Sequence, residues 1–280
     1  MPEMPEVETI RRDLAEKVAG RRIVSADVEL PRLIKWPTAP EFQAMITGKL
    51  INRLGRRGKY LLFYLENNMV LVIHLRMTGR LYYSKQGQLT DKFTRLVFNL
   101  DNGDQLLYAD TRTLGTLYLL PKNELWRISG LNTLGPEPLS EDFTLEYFRS
   151  KLAKRKAKIK ALLLNQQFIG GLGNIYADES LFVAGIHPER TADSLAEDEI
   201  CRLYHAINQV IAAGIEHGGT TFRDYRNARG SSGGHQHYLY VYGRANQPCP
   251  NCHSPIQRIE VGGRGTHFCP QCQIWKGRNT

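Results

Sequence analysis

No stretch of this sequence approaches the roughly 20 consecutive apolar residues that a membrane-spanning helix requires, which excludes an integral membrane protein built on such helices. The opening MPEMPEVETIRR lacks an apolar core between a basic start and a small-residue cleavage site, so no secretion signal is read there and a cytoplasmic address follows. Cysteine is scarce. Four of the five form two CxxC pairs near the C-terminus, a pattern that in a cytosolic chain points to zinc rather than disulfides. The fifth, Cys201, lies in the helical-looking stretch EDEICRLYHAINQVIAAGI and reads as a small buried residue. Acid is the minority charge: 28 Asp and Glu against 37 Lys and Arg leave +9, which favours a polyanionic partner, either nucleic acid or an anionic membrane surface. A membrane surface would prefer an amphipathic helix with exposed aromatics, and none is read. There is no internal repeat beyond the paired CxxC and no self-complementary apolar face, so a monomer is expected.

What is present fits an α+β protein of two modest lobes and a small appendage, since single cores stop growing efficiently near the upper end of this length of 280 residues. Val7, Ile10, Leu14 and Val18 recur at helical spacing, and Gly20 is a natural stop, giving an amphipathic helix over 6–19. From 21 to 120 the pattern changes to short alternating and β-branched runs, with Asp101-Asn102-Gly103-Asp104 as a hairpin turn, as in a β-sandwich or barrel. The N-terminal domain is therefore set at 1–120. Residues 121–141 hold several Pro and Gly without periodicity and form the interdomain linker. Helical segments follow from 142 to 226, and NARGSSGGHQ at 227–236 reads as a mobile loop that ends the helical domain at 236. The cysteine ribbon occupies 237–280.

Three features carry chemistry. Cys249 and Cys252, then sixteen residues, then Cys269 and Cys272 match a four-cysteine zinc site, in which two tight turns close a tetrahedral shell with no position left for water. The single zinc is thus structural, and His253 and His267 are only alternative ligands. From Gly243 onward five basic residues, Arg244, Arg258, Arg264, Lys276 and Arg278, face one acid, Glu260, so the finger suits phosphate. The second feature is RSKLAKRKAKIK at 149–160, seven cations without an acid, leading into a Gly-rich turn where Gly170, Gly171 and Gly173 let the backbone approach another body and Asn174 opens a helix whose N–H groups suit phosphate. The third is Met1-Pro2-Glu3. A small second residue favours removal of the initiator Met, leaving Pro2 a secondary amine; α-amines titrate near roughly 7.7–8, so a useful fraction is unprotonated and can attack a sugar C1′ to give an iminium. Glu3 and Glu6 then supply a proton donor and an orienting acceptor.

Taken together, PEMPEVETIRR, GRRGKYL at 55–61, HLRMTGR at 74–80, GGLGNIYADESLF at 170–182 and VGGRGTHFCPQCQ at 261–273 resemble formamidopyrimidine-DNA glycosylase across the whole chain. The resemblance implies a β-sandwich domain with an N-terminal helix, a helix-two-turn-helix domain and a zinc-finger β-hairpin. It implies excision of oxidised purines from damaged double-stranded DNA through Pro2 as nucleophile and Glu3 as general acid, followed by β,δ-elimination, without a nucleotide cofactor or catalytic metal. Lys59 matches the lysine assisting elimination near the lesion, and Arg264 a finger arginine assigned to phosphate and to the last elimination. Lys156, Lys160 and Asn174 match backbone contacts, and His74 another phosphate-side residue. Met77 and Arg112 match two of three side chains that fill the hole left by the everted nucleotide, and the loop 227–236 overlaps the segment that closes over the base. A bacterial, nucleoid-associated location goes with this family.

Two positions depart from the family pattern. Leu114 stands where the third filler is usually Phe, and Phe93 where His is expected; an aliphatic wedge can still enter a base stack. Both open the lesion preference, so the same chemistry on oxidised pyrimidines, as in endonuclease VIII relatives, is the nearest rival, and a noncatalytic zinc-containing damage-binding protein the rival from another class.

Overall fold

The computed structural model describes residues 1–275; Lys276 and Arg278, counted above in the basic finger, lie outside the described residues. Packing divides the chain into two compact units, Met1–Asn132 with Ile215–Gln236, and Thr133–Gly214 with the residues from His237 onward.

The first unit opens with α1 (Met4–Val18), started by a reciprocal capping box between Glu3 and Glu6 and by Pro5 in its first turn. Its stripe of Val7, Ile10, Leu14 and Val18 is completely buried, each side chain contributing roughly 1.5–3 kcal/mol of transfer free energy. The helix stops where Gly20 takes φ +78°, a conformation that costs other residues.

Next come β1 (Ile23–Val28), β2 (Ile34–Trp36), α2 (Ala39–Ile46), β3 (Ile51–Arg57), β4 (Tyr60–Leu65), β5 (Met69–His74), β6 (Gly79–Ser84), β7 (Thr94–Leu100), β8 (Gln105–Asp110), β9 (Thr116–Pro121) and the short α3 (Ser129–Asn132). They build an antiparallel sheet ordered β1-β7-β8-β6 and a five-stranded sheet ordered β2-β9-β5-β4-β3, in which only β2 against β9 is parallel. One core, running from Val7 and Ile10 through Phe63 and Ile73 to Phe98 and Tyr108, joins α1 to both sheets, as in a β-sandwich. The hairpin at 101–104 connects β7 to β8 as its Asn-Gly pair suggests, with Gly103 at φ +83°.

In the second unit lie α4 (Leu145–Leu152), α5 (Ile159–Leu163), α6 (Asn174–Ala184), α7 (Glu197–Glu216, whose last two residues fall in the first unit), and the hairpin β10 (Gln257–Val261) with β11 (Arg264–Phe268). Cys201, expected to be buried, is half-buried on α7.

The packing groups residues differently from the boundaries drawn on the sequence. Residues 122–132 continue the first unit. So does the segment 215–236, because Tyr225 and Ala228 are part of the sandwich core and Tyr83 N–H donates to the Ala228 carbonyl at 2.8 Å. Nor is the Gly/Ser segment featureless: Asn227 Oδ1 accepts from Arg229 N–H at 3.0 Å and Ser231 N–H at 2.9 Å. Its base is closed by Gly234 N–H to the His217 carbonyl at 2.9 Å and His235 N–H to the Gly219 carbonyl at 3.0 Å.

Candidate active site and metal centre

The N-terminus is held from several sides. Pro2 and Glu3 are buried, Glu3 being 3% exposed. Glu6 Oε2 accepts the Glu3 N–H at 2.7 Å, and Glu6 Oε1 accepts the Thr220 N–H, also at 2.7 Å. With a backbone N–H on each oxygen, the Glu6 carboxyl acts as an acceptor that joins the Pro2-bearing turn to the segment after α7. Gly219 is required at that junction: it sits at φ +81°, and a Cβ there would lie 2.9 Å from Glu6 Cγ.

Lys59 follows Gly58, which turns the chain at φ +55° between β3 and β4, and its side chain is 7% exposed. The Gly58 carbonyl is gripped by Arg56 Nη1 at 2.9 Å, and Arg56 Nε reaches Glu8 at 3.2 Å. Glu8 also collects Arg11 at 2.7 Å and Arg12 at 2.8 Å. Burial alone would raise its pKa, but these guanidinium hydrogen bonds outweigh it and bring the carboxyl down to about 2. Arg11 and Arg12 are local to Glu8, one turn further along α1, but Arg56 comes from a strand 48 residues away and could not be read from the sequence.

His74 ends β5 with Nδ1 accepting the Arg76 N–H at 3.0 Å. Burial, followed by the charges of Arg76 and Lys59, draws its pKa down to about 3, so the ring is neutral and its proton sits on Nε2. It is therefore an uncharged donor rather than a cationic clamp. Met77 is half-buried on the turn that follows, while Arg112 and Leu114 project from the turn between β8 and β9, Leu114 being 46% exposed. Phe93 packs partly buried against Tyr82 and Leu107 on the outer face of the four-stranded sheet, with the Arg80 guanidinium 5.9 Å from its ring centre.

In the second unit the basic run ends α4, turns through Lys154 at φ +64°, and enters α5. Lys156 is exposed on that turn. Lys160, expected on phosphate, is instead fully buried: its Nζ pairs with Asp178 Oδ1 at 2.6 Å and donates to the Thr266 hydroxyl at 2.7 Å and the Gly265 carbonyl at 3.1 Å. The reason lies in helical phase, since Ile159 and Lys160 begin α5 on its inner side while Lys156 precedes the helix. Asn174, at the start of α6, donates Nδ2–H to the same Gly265 carbonyl at 2.9 Å. Lys160 and Asn174 thus brace the strand just after Arg264, which is itself exposed beyond the Gly262-Gly263 turn of the hairpin. Asp178 accepts the His267 N–H at 2.8 Å, and Glu179 accepts the N–H groups of Tyr240, Val241 and Tyr242 at 2.7, 2.9 and 2.8 Å. Sequence reasoning passed over both acids, although they sit side by side inside the YADESLF motif.

The four cysteine sulfurs of Cys249, Cys252, Cys269 and Cys272 all lie within 4.8 Å of one another. Cys252 and Cys269 are 3.4 Å apart and Cys249 and Cys272 3.8 Å, near the roughly 3.8 Å edge of a tetrahedron with zinc–sulfur bonds of about 2.3 Å. Gln273 locks the second turn, accepting the Cys269 N–H at 2.9 Å and donating to the Ile186 carbonyl at 2.9 Å. Phe182, Val241 and Ile256 close over Cys249 and Cys269. His267 faces Asp178 rather than the sulfurs. The donor set fits one structural zinc.

A β-sandwich capped by an N-terminal helix, with a helix-two-turn-helix unit and a four-cysteine finger, defines a DNA-repair glycosylase architecture, and family models agree. The formamidopyrimidine-DNA glycosylase N-terminal domain matches residues 1–117, its H2TH domain 134–226, and the zinc finger found in FPG and IleRS 246–274. The formamidopyrimidine-DNA glycosylase of Desulforamulus reducens is 49% identical, over 98% of this chain and 99% of its own. That of Pelotomaculum thermopropionicum is 48% identical over 98% and 99%. A Lactococcus lactis FPG variant in complex with Fapy-dG containing DNA superposes with a TM-score of 0.91 at 40% identity, covering 98% of this chain and 100% of that one. The Lactococcus lactis Fpg bound to an abasic site containing DNA gives the same values. The chain belongs to the formamidopyrimidine-DNA glycosylase family. Among the described residues no helix is long and apolar enough to cross a membrane.

Proposed function

We propose that this protein excises oxidised purines from double-stranded DNA and then cleaves the strand as an AP lyase, with Pro2 as the nucleophile. The observation that carries this reading is the buried N-terminal turn beside Pro2, in which the Glu6 carboxylate accepts the Glu3 N–H on one oxygen and, on the other, the N–H of Thr220, 214 residues further along the chain. Once Met1 is removed, the Pro2 nitrogen attacks C1′, and the base leaves with the electrons of the glycosidic bond, taking a proton. The sugar ring then opens, C1′–O4′ breaking as O4′ takes a proton, and the iminium so formed at C1′ acidifies the C2′ proton; its loss expels the 3′ phosphate, and a second elimination expels the 5′ phosphate. Glu3 delivers and Lys59 assists proton movement, while His74, Lys156, Asn174 and Arg264 hold backbone phosphates and Met77, Arg112 and Leu114 fill the vacated stack. Lys160 supports Arg264 from beneath the hairpin. Zinc, when bound, fixes that hairpin. The protein acts as a monomer at the bacterial nucleoid, and the loop 227–236 closes over the everted base.

The test is borohydride trapping on a duplex holding 8-oxoguanine opposite cytosine, with a dihydrouracil duplex in parallel and Pro2→Gly as control. A covalent adduct lost in the control supports the imine route; no adduct with DNA binding intact supports a noncatalytic binder. The parallel duplex addresses the pyrimidine reading, which is favoured by Leu114 and Phe93 and by the solved complex of Lactococcus lactis Fpg with an oxidized pyrimidine containing DNA.

A further inference from the structure

Three side chains assigned above to the vacated stack sit on two different loops, and one buried carboxylate is bonded to both. Asp110, the last residue of β8, is 0% exposed. Its Oδ1 accepts the Thr78 hydroxyl at 2.6 Å and the Arg112 N–H at 3.2 Å. Its Oδ2 accepts the Gly115 N–H at 2.9 Å and the Tyr108 hydroxyl at 3.3 Å. The Thr78 hydroxyl also receives the Arg112 N–H at 3.0 Å, closing a ring that runs from the residue after Met77 to the residue that carries the guanidinium.

Both loops need such an anchor. Arg76, just before Met77, stands at φ +55°, and Thr113, between Arg112 and Leu114, at φ +53°. A left-handed conformation is strained in a β-branched residue and persists only where the surroundings enforce it. The turn also has no slack. A Cβ on Gly115 would fall 1.6 Å from the Tyr108 hydroxyl oxygen, and one on Gly79 2.4 Å from the Leu75 carbonyl.

We propose that Asp110 is a positioning residue for nucleotide eversion: by holding Thr78, Arg112 and Gly115 together it sets how far Met77, Arg112 and Leu114 stand out as one wedge. The role rests on the glycosylase reading above. Four uncharged donors converge on this carboxylate, so Asp110→Asn turns one acceptor oxygen into a donor facing donors. Thr78→Val removes the hydroxyl alone, and Thr78→Ser restores it.

The experiment follows the fluorescence rise of 2-aminopurine placed beside 8-oxoguanine in a duplex, as a measure of eversion, and separately the cleavage of a preformed abasic site in single-stranded DNA, where nothing must be unstacked. Asp110→Asn and Thr78→Val are expected to slow the fluorescence phase by roughly tenfold or more, with Thr78→Ser within about twofold of wild type and single-strand cleavage within about twofold in all three. Eversion at the wild-type rate in Asp110→Asn and Thr78→Val overturns the proposal, as does an equal loss in both assays, which a general defect of the fold would give. A wild-type protein inert in both assays removes the glycosylase reading and this role with it, a result distinguishable because no variant is involved.

Discussion

Lys156 and Lys160 belong to one basic run, yet their replacement by methionine should give opposite phenotypes. Lys160→Met leaves Asp178 buried without its cation; breaking a buried ion pair in this way costs about 3–5 kcal/mol. For a unit of this size each kcal/mol lowers the melting temperature by roughly 2–4 °C, so the expected fall is roughly 6–20 °C. The Gly265 carbonyl and Thr266 hydroxyl lose a donor in the same step, so the finger hairpin loosens. Adding Asp178→Asn should recover much of the loss, because it removes the unpaired charge while its amide oxygen can still accept the His267 N–H. Lys156→Met, on an exposed turn, should leave stability within about 0.5 kcal/mol of wild type but lower the slope of log affinity against log salt by about 0.9, the value for one lost phosphate contact. Calorimetry together with DNA binding titrated from low to moderate salt reads both quantities. If Lys160→Met costs less than about 1 kcal/mol and shortens the salt slope as Lys156→Met does, Lys160 is a phosphate contact and its buried pairing is not what matters.

Removing zinc with a chelator should unfold the ribbon around Cys249, Cys252, Cys269 and Cys272 and abolish tight DNA binding, since structural zinc contributes on the order of 10 kcal/mol to such a fold; circular dichroism with metal analysis checks this. Glu8, held at about 2 against an ordinary 4.5, contributes stability that is complete above about pH 4.5 and lost as pH falls through about 2, so Glu8→Gln should flatten the acid limb of the stability curve in that window. His74, drawn down to about 3 from 6.5, should remain a neutral Nε2–H tautomer in NMR spectra recorded at pH 5. Because the unfolded chain takes up that proton first, this site makes the fold progressively less stable as pH drops from about 6.5 toward 3, a dependence that His74→Gln should remove.

Local pattern made much of this protein legible. The α1 stripe, the hairpin at Asn102-Gly103 and the paired CxxC turns depend on residues near one another in sequence, where periodicity and turn chemistry act directly. The short helix α2 escaped notice although Thr38 and Glu41 form a capping box at its start, because eight residues between β-rich runs give little periodicity. What could not be read was long-range. Glu6 meets Thr220, Glu8 meets Arg56, and Lys160 meets Asp178 and Thr266 through folding alone. The basic run illustrates the limit: charge predicted a surface, but the phase of α5 turned one of its cations inward. The segment 215–236 illustrates another, since sequence order put it with the helical domain while Tyr225 and Ala228 pack it into the sandwich core.

The turn between β8 and β9 separates what can change from what cannot. Position 115 accepts only glycine, because the Tyr108 hydroxyl already occupies the place of a side chain, and Asp110 has no exposed face on which a substitute could be accommodated. Leu114, by contrast, stands nearly half in solvent. Substitution at 114 is therefore expected to cost the fold little. Under the wedge role proposed for Leu114, single substitutions at this one tip would shift lesion preference while the turn beneath keeps its geometry.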